Sequence, residues 1–501
     1  MEVAFNFISF VFFLSFFILL HTLWRKKAKT RRNLPPGPPK LPIIGNLHQF
    51  MSDSQKPTHR VLGELVKKYG SQGMMKLQIG EISAVVVSSP AVAKELLRTH
   101  DLTFATKLQS LAGKTLFYNG LGVALTPYGD YWRQLRKVYA TELLNAKNVR
   151  SFSSIRHDEI HCLLAHLRSS SGQLVNLTGR IFLLMSSIIC KSAFGKVFTG
   201  REEFLEQIKE ISELLGKFDF ADVFPSWKVL HGLCSNKTRI MKTHRKVDGI
   251  IENIIKEHRE KLESGDCLID LLITQMDKGG LQLPITHDSI KGVIAEIFTA
   301  GSETSATTTV WAMSETMKNP RVLAKAQAEV REAFRGKEKL EEEDMEELQY
   351  LKSVVKETLR FHPPVPLLTP RECMEETMVC GYTIPLKSKV LINVWAMCRD
   401  PQYWEDPESF IPERFEKNSS IDFIGNHFEF LPFGGGRRIC PGLGFGFANA
   451  LSPLAHLLFH FDWKLPPGVT ADTLDMTEMN GVTVTRKNDL FLIPTPIHLV
   501  K

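Results

Sequence analysis

One cysteine of the chain stands in a setting that suits metal ligation. Cys440 follows three glycines and two arginines in the segment FGGGRRICPG, residues 433–442. A cysteine binds metal as its thiolate, which neighbouring cations favour. Glycines let backbone N–H groups turn towards the sulfur and let a bulky group approach closely. Cys440 is therefore a candidate ligand, whereas the other seven cysteines, widely spaced and without a CxxC pair, are interpreted as ordinary buried residues.

The same segment fits the pattern F-x-x-G-x-R-x-C-x-G at every fixed position. A chance match of this kind is expected on the order of once in ten thousand chains of this length. The pattern is the haem-thiolate loop of the cytochromes P450, which the chain resembles here. The resemblance implies a haem b whose iron is bound by Cys440, cofactor contacts from Phe433, Gly436 and Gly442 of the same loop, and a haem propionate contacted by Arg438. A structural buried cysteine is the alternative for Cys440.

A second segment, AGSETS at residues 300–305, falls within a predicted helix. Glycine and hydroxyl residues in mid-helix cost stability, so their presence together calls for a reason. The segment is similar to the A/G-G-x-D/E-T-T/S motif of cytochromes P450. The resemblance implies that Ala300 and Gly301 border the oxygen site over the haem and that Thr304 and Glu303 relay protons there. A solvent-facing polar patch is the alternative.

A pair of opposite charges lies on another predicted helix, which spans about residues 345–361. Glu357 and Arg360 are three positions apart and so share one helix face. Such a pair alone occurs by chance in a chain of this length, but Arg414 in the segment PERF follows, and then the cysteine loop, in the order typical of cytochromes P450. The resemblance implies that these three residues form a buried structural charge network.

Two further segments resemble haem-contacting parts of the family. Trp132 and Arg136, in WRQLR, lie about one helical turn apart and suit contact with a propionate. Arg371, in the segment TPRE, stands where related plant enzymes have another propionate-binding arginine. Each arginine could instead be an ordinary surface residue.

The amino terminus predicts a membrane anchor. Residues 3–24 are almost entirely apolar, long enough to cross a bilayer core, and are followed by six basic residues at 25–32. The basic residues come after the apolar run, without a small-residue cleavage site, so we expect an uncleaved single-pass transmembrane helix with the rest of the chain in the cytosol. The predicted divisions are an anchor at 1–24, a basic and proline-rich hinge at 25–40 and one catalytic domain at 41–501.

Net charge excludes a nucleic-acid partner. Residues 1–33 hold five of the seven net positive charges, so the body of the chain is nearly neutral and lacks the basic face that such partners need.

The pattern along the body predicts a mostly α fold with small β-sheets, as in the cytochrome P450 fold. We expect a hairpin at 74–88 with its turn at Gly80-Glu81, a long helix from near Asp288 to Lys318, and strands within 378–394 and 480–495.

The resemblance is to plant microsomal cytochromes P450 of the A-type clan. It implies a monooxygenase of the endoplasmic reticulum membrane that uses O2 and NADPH through a separate cytochrome P450 reductase, since the chain shows no G-x-G-x-x-G loop of its own. By the same resemblance the substrate pocket is largely apolar and is lined by residues 111–123, Ile294, Ile297, Phe298, Ala300, 366–369 and 482–483. We expect a small hydrophobic substrate, a sesquiterpenoid or diterpenoid.

Several functions remain open as alternatives. A phenylpropanoid or alkaloid oxidase would have the same fold. A hydroperoxide-rearranging enzyme tends to lose the threonine at position 304 and to distort the cysteine loop, neither of which is seen. A non-catalytic haem-binding membrane protein would need no Glu303-Thr304 pair.

Overall fold

A computed structural model describes residues 15–16, 33–51, 56–198, 200–217, 219–234, 236–260, 267–279, 282–337, 341–417 and 420–497. The predicted anchor and the basic cluster that follows it lie outside these residues, apart from positions 15 and 16.

Helices make up most of the described chain, as predicted. Those of the amino-terminal half are α1 (His48–Met51), α2 (Thr58–Tyr69), α3 (Pro90–Lys94), α4 (Leu111–Leu116), α5 (Asp130–Val138), α6 (Ala146–Ser151), α7 (Ser153–Ser169), α8 (Leu177–Phe194), α9 (Arg201–Gly216), α10 (Phe220–Val223) and α11 (Lys228–Cys234). The remaining ones are α12 (Lys237–Glu260), α13 (Leu268–Lys278), α14 (His287–Lys318), α15 (Pro320–Ala333), α16 (Gln349–Phe361), α17 (Val394–Met397), α18 (Glu413–Lys417) and α19 (Leu443–His460).

Short π and 3-10 segments extend or connect these helices. The π segments are Glu95–Thr99 after α3 and Tyr139–Leu143 after α5. The 3-10 segments are Glu343–Glu347 before α16 and Gly436–Arg438 before Cys440.

The strands form small sheets at the edge of the helical body. They are β1 (Met74–Ile79), β2 (Ile82–Val87), β3 (Thr106–Lys107), β4 (Val175–Asn176), β5 (Arg371–Glu372), β6 (Thr377–Val379), β7 (Tyr382–Ile384), β8 (Lys389–Ile392), β9 (Phe461–Lys464) and β10 (Phe491–Pro496). The sheet orders are β1-β2-β8-β5-β3, β4-β10-β9 and β6-β7. Only β2 and β8 pair in parallel among these described strands. The hairpin with its turn at Gly80-Glu81 is confirmed.

One strand prediction was wrong in extent. Within 480–495, strand structure begins only at Phe491. The backbone of Val484 bonds elsewhere: its N–H donates to the Pro364 carbonyl at 2.8 Å, and its own carbonyl accepts the Trp311 indole N–H at 3.1 Å. These bonds to the loop after α16 and to α14 replace a strand ladder.

The long helix α14 forms the centre of the fold. It begins after Thr286, whose hydroxyl accepts the Ser289 N–H at 3.1 Å in a capping box, and it ends at Lys318 before Asn319-Pro320. It packs against α8 and α19. Helix α8 is the one described helix long and apolar enough to cross a membrane, but 67% of it is buried inside the protein, as in a core helix.

Candidate active site

The loop that carries Cys440 is held by its own backbone and by one glycine. The Cys440 N–H donates to the Phe433 carbonyl at 3.0 Å. Gly436 has φ 69°, and a Cβ there would lie 2.5 Å from the Leu97 carbonyl oxygen and from the Asp101 carboxylate. Only glycine fits this position. Gly436 thus packs the loop against the segment after α3 and does not line the cavity that Cys440 faces.

That cavity of about 650 Å³ lies between the cysteine loop and α14. Cys440 and Gly442 line one side, and Ala300, Gly301 and Thr304 line the other. The structure therefore brings the predicted ligand and most of the predicted oxygen-side segment to one cavity. Burial raises the pKa of the Cys440 thiol, while the Gly442 N–H, which bonds the sulfur, acts in the opposite direction. A cation bound at the sulfur would favour the thiolate further.

Gly301 and Thr304, both in α14, make contacts that account for their residue types. A Cβ at Gly301 would come within 2.7 Å of the Ile189 side chain, so glycine permits the close approach of α8. The Thr304 hydroxyl lines the cavity and donates to the Ala300 carbonyl at 2.7 Å, one turn earlier. This hydroxyl can exchange its intrahelical bond for one to a group in the cavity.

Glu303 does not line the cavity. Successive helical residues point about 100° apart, and the Glu303 carboxylate instead accepts the Thr483 hydroxyl at 3.1 Å and lies beside Ser212. It is 5% exposed, and burial raises its pKa to about 7. The predicted pair with Thr304 is adjacent in sequence, but the two side chains occupy different faces of α14.

Arg438 is buried among backbone carbonyls beside the cavity. Its guanidinium donates to the carbonyls of Ala105 at 2.7 Å, Thr126 at 2.6 Å and Val123 at 3.2 Å, and it lies 4.2 Å from the ring of Trp132. The Trp132 indole donates to the Val123 carbonyl at 3.1 Å. Burial lowers the pKa of Arg438 to about 9.

Arg371 is held in the same way. It donates to the carbonyls of Phe104 at 3.2 Å and Gly435 at 3.0 Å, and burial lowers its pKa to about 10. Its nearest carboxylate, Asp101, lies 3.8 Å away and bonds Arg437 at 2.7 Å. Asp101 therefore compensates Arg371 only weakly.

Lys107 is a cation that the sequence did not indicate. It is 6% exposed on β3, and its ammonium group donates to the Thr369 carbonyl at 2.9 Å. Burial lowers its pKa, and the nearby charges of Arg371 and Arg438 lower it further. A lone lysine in the segment TFATK has no pattern that could have identified it.

The arrangement fits a dianionic cofactor. Four basic side chains line the cavity: Lys107, Arg136, Arg371 and Arg438. Of these four, only Arg371 lies within 4.0 Å of a carboxylate in the described part of the chain. Burying cations without counter-charges is costly, so the site is electrostatically completed by anions such as the two propionates of haem. Phe433 also lines the cavity, beside Cys440. The residues present thus fit a haem held by a thiolate and by cations.

Glu296 is a second functional residue that sequence reasoning missed. Its buried carboxylate faces the cavity and accepts the N–H groups of Ala124 at 2.9 Å and Leu125 at 3.2 Å. It therefore ties α14 to the loop whose carbonyls hold Arg438. Burial raises its pKa to about 7. An acidic residue within the apolar stretch GVIAEIF, eight positions before Thr304, was an available signal.

The charge network predicted around Glu357 is confirmed. Arg360 donates to both carboxylate oxygens of Glu357, at 2.7 and 2.8 Å, and Arg414 donates to one at 3.1 Å. Arg360 also donates to the carbonyls of Cys398 and Pro407. Both members of the central pair are 0% exposed.

The predicted apolar lining is confirmed in part. The cavity is lined by Val123, Ile297, Ala300, Leu368 and Thr369 from the predicted set. Phe298 instead points into the core, with its ring 4.5 Å from that of Phe204. The cavity also contacts Ile189 and Val365, so its walls are mostly apolar.

Comparison with known proteins places these observations in one family. The family model described as cytochrome P450 matches residues 35–493. The chain is 55% identical to premnaspirodiene oxygenase of Hyoscyamus muticus and 54% identical to 5-epiaristolochene 1,3-dihydroxylase of Nicotiana tabacum, with 98% of each chain covered in both cases. It is 48% identical to germacrene A hydroxylase of Barnadesia spinosa over 93% of each chain.

The fold matches solved structures as well. A zebra fish cytochrome P450 with abiraterone superposes with a TM-score of 0.76, covering 88% of this chain and 99% of that one, at 24% identity. At this identity the match concerns the fold alone. Taken with the cysteine loop, the cationic cavity and the family match over nearly the whole chain, it shows that the chain belongs to the cytochrome P450 family.

Proposed function

We propose that this protein is a membrane-bound monooxygenase that hydroxylates a sesquiterpenoid. As a cytochrome P450 it uses haem b and receives electrons from NADPH through a reductase. The observation that carries the proposal is the cavity, apolar over most of its wall, with Cys440 on one side and Thr304 on the other. Relatives about half identical to the chain are named for oxygenation of premnaspirodiene, 5-epiaristolochene and germacrene A, which are sesquiterpenes.

Cys440 is the proposed iron ligand. When bound, the haem supplies the iron chemistry that activates O2 for insertion into a C–H bond. The sulfur accepts the Gly442 N–H, which stabilises its negative charge. Trp132, Arg136, Arg371 and Arg438 are the proposed propionate contacts, and Gly436 shapes the loop without facing the cofactor.

Thr304 and Glu303 are the proposed residues of proton delivery. The Thr304 hydroxyl faces the cavity and can donate a proton towards oxygen held there. Glu303 can hold or release a proton near neutral pH, because burial raises its pKa to about 7. Its carboxylate lies on another face of α14, so transfer to Thr304 requires a rotamer change or an intervening water. Ala300 and Gly301 keep this part of the helix surface open.

The substrate class follows from the cavity walls. Apolar side chains bind by burial of hydrocarbon surface and offer few directional contacts. Within the described residues, the cavity-lining carboxylates are Glu142 and Glu296, and Glu296 is already bonded to two backbone N–H groups. A neutral hydrocarbon skeleton fits this lining better than the amine of an alkaloid. Phenylpropanoid and alkaloid oxidation are therefore the secondary candidates.

The proposed topology is a single span at residues 1–24 in the endoplasmic reticulum membrane, a hinge at 25–40 and a catalytic domain, 41–501, in the cytosol. The apolar run and the basic cluster that follows it support this orientation. A cytosolic domain can meet a membrane-bound NADPH-cytochrome P450 reductase on the same side.

The direct test is turnover in microsomes that contain the full chain and a cytochrome P450 reductase. Germacrene A, 5-epiaristolochene and premnaspirodiene are supplied with NADPH and O2, and products are analysed by mass spectrometry with 18O2. We expect a hydroxylated product that carries one 18O per hydroxyl group and depends on NADPH. Thr304→Ala should consume NADPH with less product. Intact haem-thiolate protein that oxygenates alkaloids or phenylpropanoids but none of these sesquiterpenes would contradict the substrate class.

A further inference from the structure

Three side chains of different chemistry meet at the corner between α12 and α13. His258 lies in the last turn of α12, Cys267 stands immediately before α13, and Asp270 lies in the first turn of α13. The His258 Nδ1 is 2.9 Å from one carboxylate oxygen of Asp270, and the Cys267 sulfur is 3.0 Å from the other. The sulfur lies 3.9 Å from the same imidazole nitrogen. A ring nitrogen, a sulfur and a carboxylate thus face one another across a small space.

The separations suit a tetrahedral metal ion. Within the described residues, this is the one group of three or more histidine, cysteine and acidic side chains whose ligand atoms all lie within 4.8 Å of one another. Zinc binds nitrogen and oxygen at about 2.0–2.2 Å and sulfur at about 2.3 Å, which puts tetrahedral ligand atoms about 3.3–3.6 Å apart. The three measured separations each lie within about half an ångström of that range, so small side-chain rotations are enough to admit an ion.

The electrostatics of helix ends account for only two of the three residues. Asp270 lies at the positive end of α13 and His258 at the negative end of α12, where each is favoured. They do not account for Cys267, because the position before a helix favours serine, threonine, aspartate or asparagine. A cysteine at this position adds a third ligand atom to an acid–imidazole pair.

The charges of the three ligands balance those of a divalent cation. Asp270 is 7% exposed, and the His258 side chain is 11% exposed. A cation buried to this degree needs anionic ligands, and a thiolate, a carboxylate and a neutral imidazole bring the net charge of the site to zero. Binding releases to solvent the thiol proton that Cys267 otherwise donates to Asp270. The remaining exposure of His258 admits a water as fourth ligand.

The mixed ligand set selects the ion. Mg²⁺ and Ca²⁺ take oxygen ligands, so a thiolate disfavours both. Zinc accepts sulfur, nitrogen and carboxylate oxygen together. We propose that His258, Cys267 and Asp270 form a Zn²⁺ site that joins α12 to α13.

The site would brace one wall of the cavity. Helix α13 packs against α8 and α14, and Cys267, Leu268 and Leu271 line the cavity. An ion at the start of α13 ties these wall residues to the end of α12. The ion takes no part in the proposed oxygen chemistry, so its removal should lower the thermal unfolding midpoint and leave haem bound.

The binding test uses haem-loaded, full-length protein that carries no polyhistidine tag and has been treated with a zinc chelator. Equilibrium dialysis against Zn²⁺ with elemental analysis should give one zinc per chain. Asp270→Asn should weaken binding at least about tenfold, because loss of even a hydrogen-bond partner of a metal ligand costs that much. Asp277→Asn is the matched control: it makes the same change on the same helix, at an exposed carboxylate paired with Arg259, and should bind as the parent does. No stoichiometric binding by the parent, or equal binding by Asp270→Asn, would overturn the proposal.

X-ray absorption at the zinc edge identifies the ligands in the parent protein, whether or not a variant folds. We expect one sulfur neighbour at about 2.3 Å beside nitrogen and oxygen at about 2.0–2.2 Å. Cys267→Ala should lose the sulfur neighbour, whereas Cys162→Ala, at an exposed cysteine, should keep it. A zinc shell without sulfur in the parent, or a sulfur neighbour retained in Cys267→Ala, would assign the ion to another place and overturn the proposal.

Discussion

Two groups of buried arginines differ in what compensates their charge. Arg360 and Arg414 both bond the carboxylate of Glu357. Arg371 and Arg438, beside the cavity, bond mainly backbone carbonyls. The first group shares a buried carboxylate, which offsets part of its positive charge when the chain folds. The second group keeps positive charge available, so the comparison distinguishes arginines that hold the fold from arginines that await an anionic ligand.

Burial disfavours the charged form of the two arginines beside the cavity. Burial lowers the pKa of Arg438 to about 9 and that of Arg371 to about 10. An anion that binds there restores the stability of the charged form. Cofactor binding and folding of this region are therefore coupled, whereas the Glu357 network needs no ligand.

The largest expected effect comes from breaking the paired group. Arg360→Ala leaves the Glu357 carboxylate buried with one of its two arginine partners lost, which costs about 3–5 kcal/mol. We expect a large fall in the thermal unfolding midpoint and little recoverable holoenzyme. Arg321→Ala is the control: it also removes an arginine–glutamate pair, with Glu413, but that arginine is 64% exposed. Exposed pairs contribute at most about 1 kcal/mol. Equal losses in the two variants would contradict the structural role of the Glu357 network.

Arg438→Met should mainly affect haem. Methionine keeps apolar contacts but removes the charge, and hydrogen bonds to charged groups contribute about 1.5–3 kcal/mol. We expect haem affinity to fall about ten- to a hundredfold, measured by haem transfer to apomyoglobin, while circular dichroism still reports a folded chain. A variant that retains haem as the parent does would remove the distinction between the two groups.

Glu296→Gln should change how stability depends on pH. Burial raises the folded-state pKa of Glu296 from its ordinary 4.5 to about 7, so between these values the folded state holds the proton more strongly than the unfolded state. The parent therefore loses stability as pH rises from about 4.5 through 7, on the order of 3 kcal/mol in all, and the change levels off about one pH unit above the folded-state pKa. Glutamine does not titrate, so the thermal unfolding midpoint of the Glu296→Gln variant should decline less steeply with rising pH than that of the parent. Parallel pH profiles would show that Glu296 is not the titrating group.

Lys107→Met is expected to have the smallest effect. The ammonium group already donates to Thr369, and its loss costs about 1.5 kcal/mol, the lower end of the range for hydrogen bonds of charged groups. Haem release should therefore accelerate several-fold, less than for Arg438→Met. A larger effect than that of Arg438→Met would make Lys107 the principal propionate contact.

Sequence reasoning succeeded where a structural feature is local in the chain. The ends of α14 follow from its cap and from Asn319-Pro320. The roles assigned to Cys440 and Arg438 stay predictions, although both residues line one cavity. The pairing of Glu357 with Arg360 needs only helical spacing.

It failed where tertiary contacts decide. Lys107 reaches the cavity because β3 pairs with β5, and Glu296 matters because a distant loop presents its N–H groups. The orientation of Glu303 depends on Thr483, which lies 180 positions away. Local pattern identifies none of the distant partners, although the acidic residue within GVIAEIF was a signal for Glu296 itself.

The central claim is that Cys440 binds the haem iron as a thiolate, and the carbon monoxide difference spectrum of the reduced protein tests it most directly. The parent should show the red-shifted Soret band typical of a thiolate ligand. Cys440→Ala should lose that band, while Cys398→Ala, at another buried cysteine, should retain it. A histidine-type band in folded parent protein, or an unchanged thiolate band in Cys440→Ala, would contradict the account.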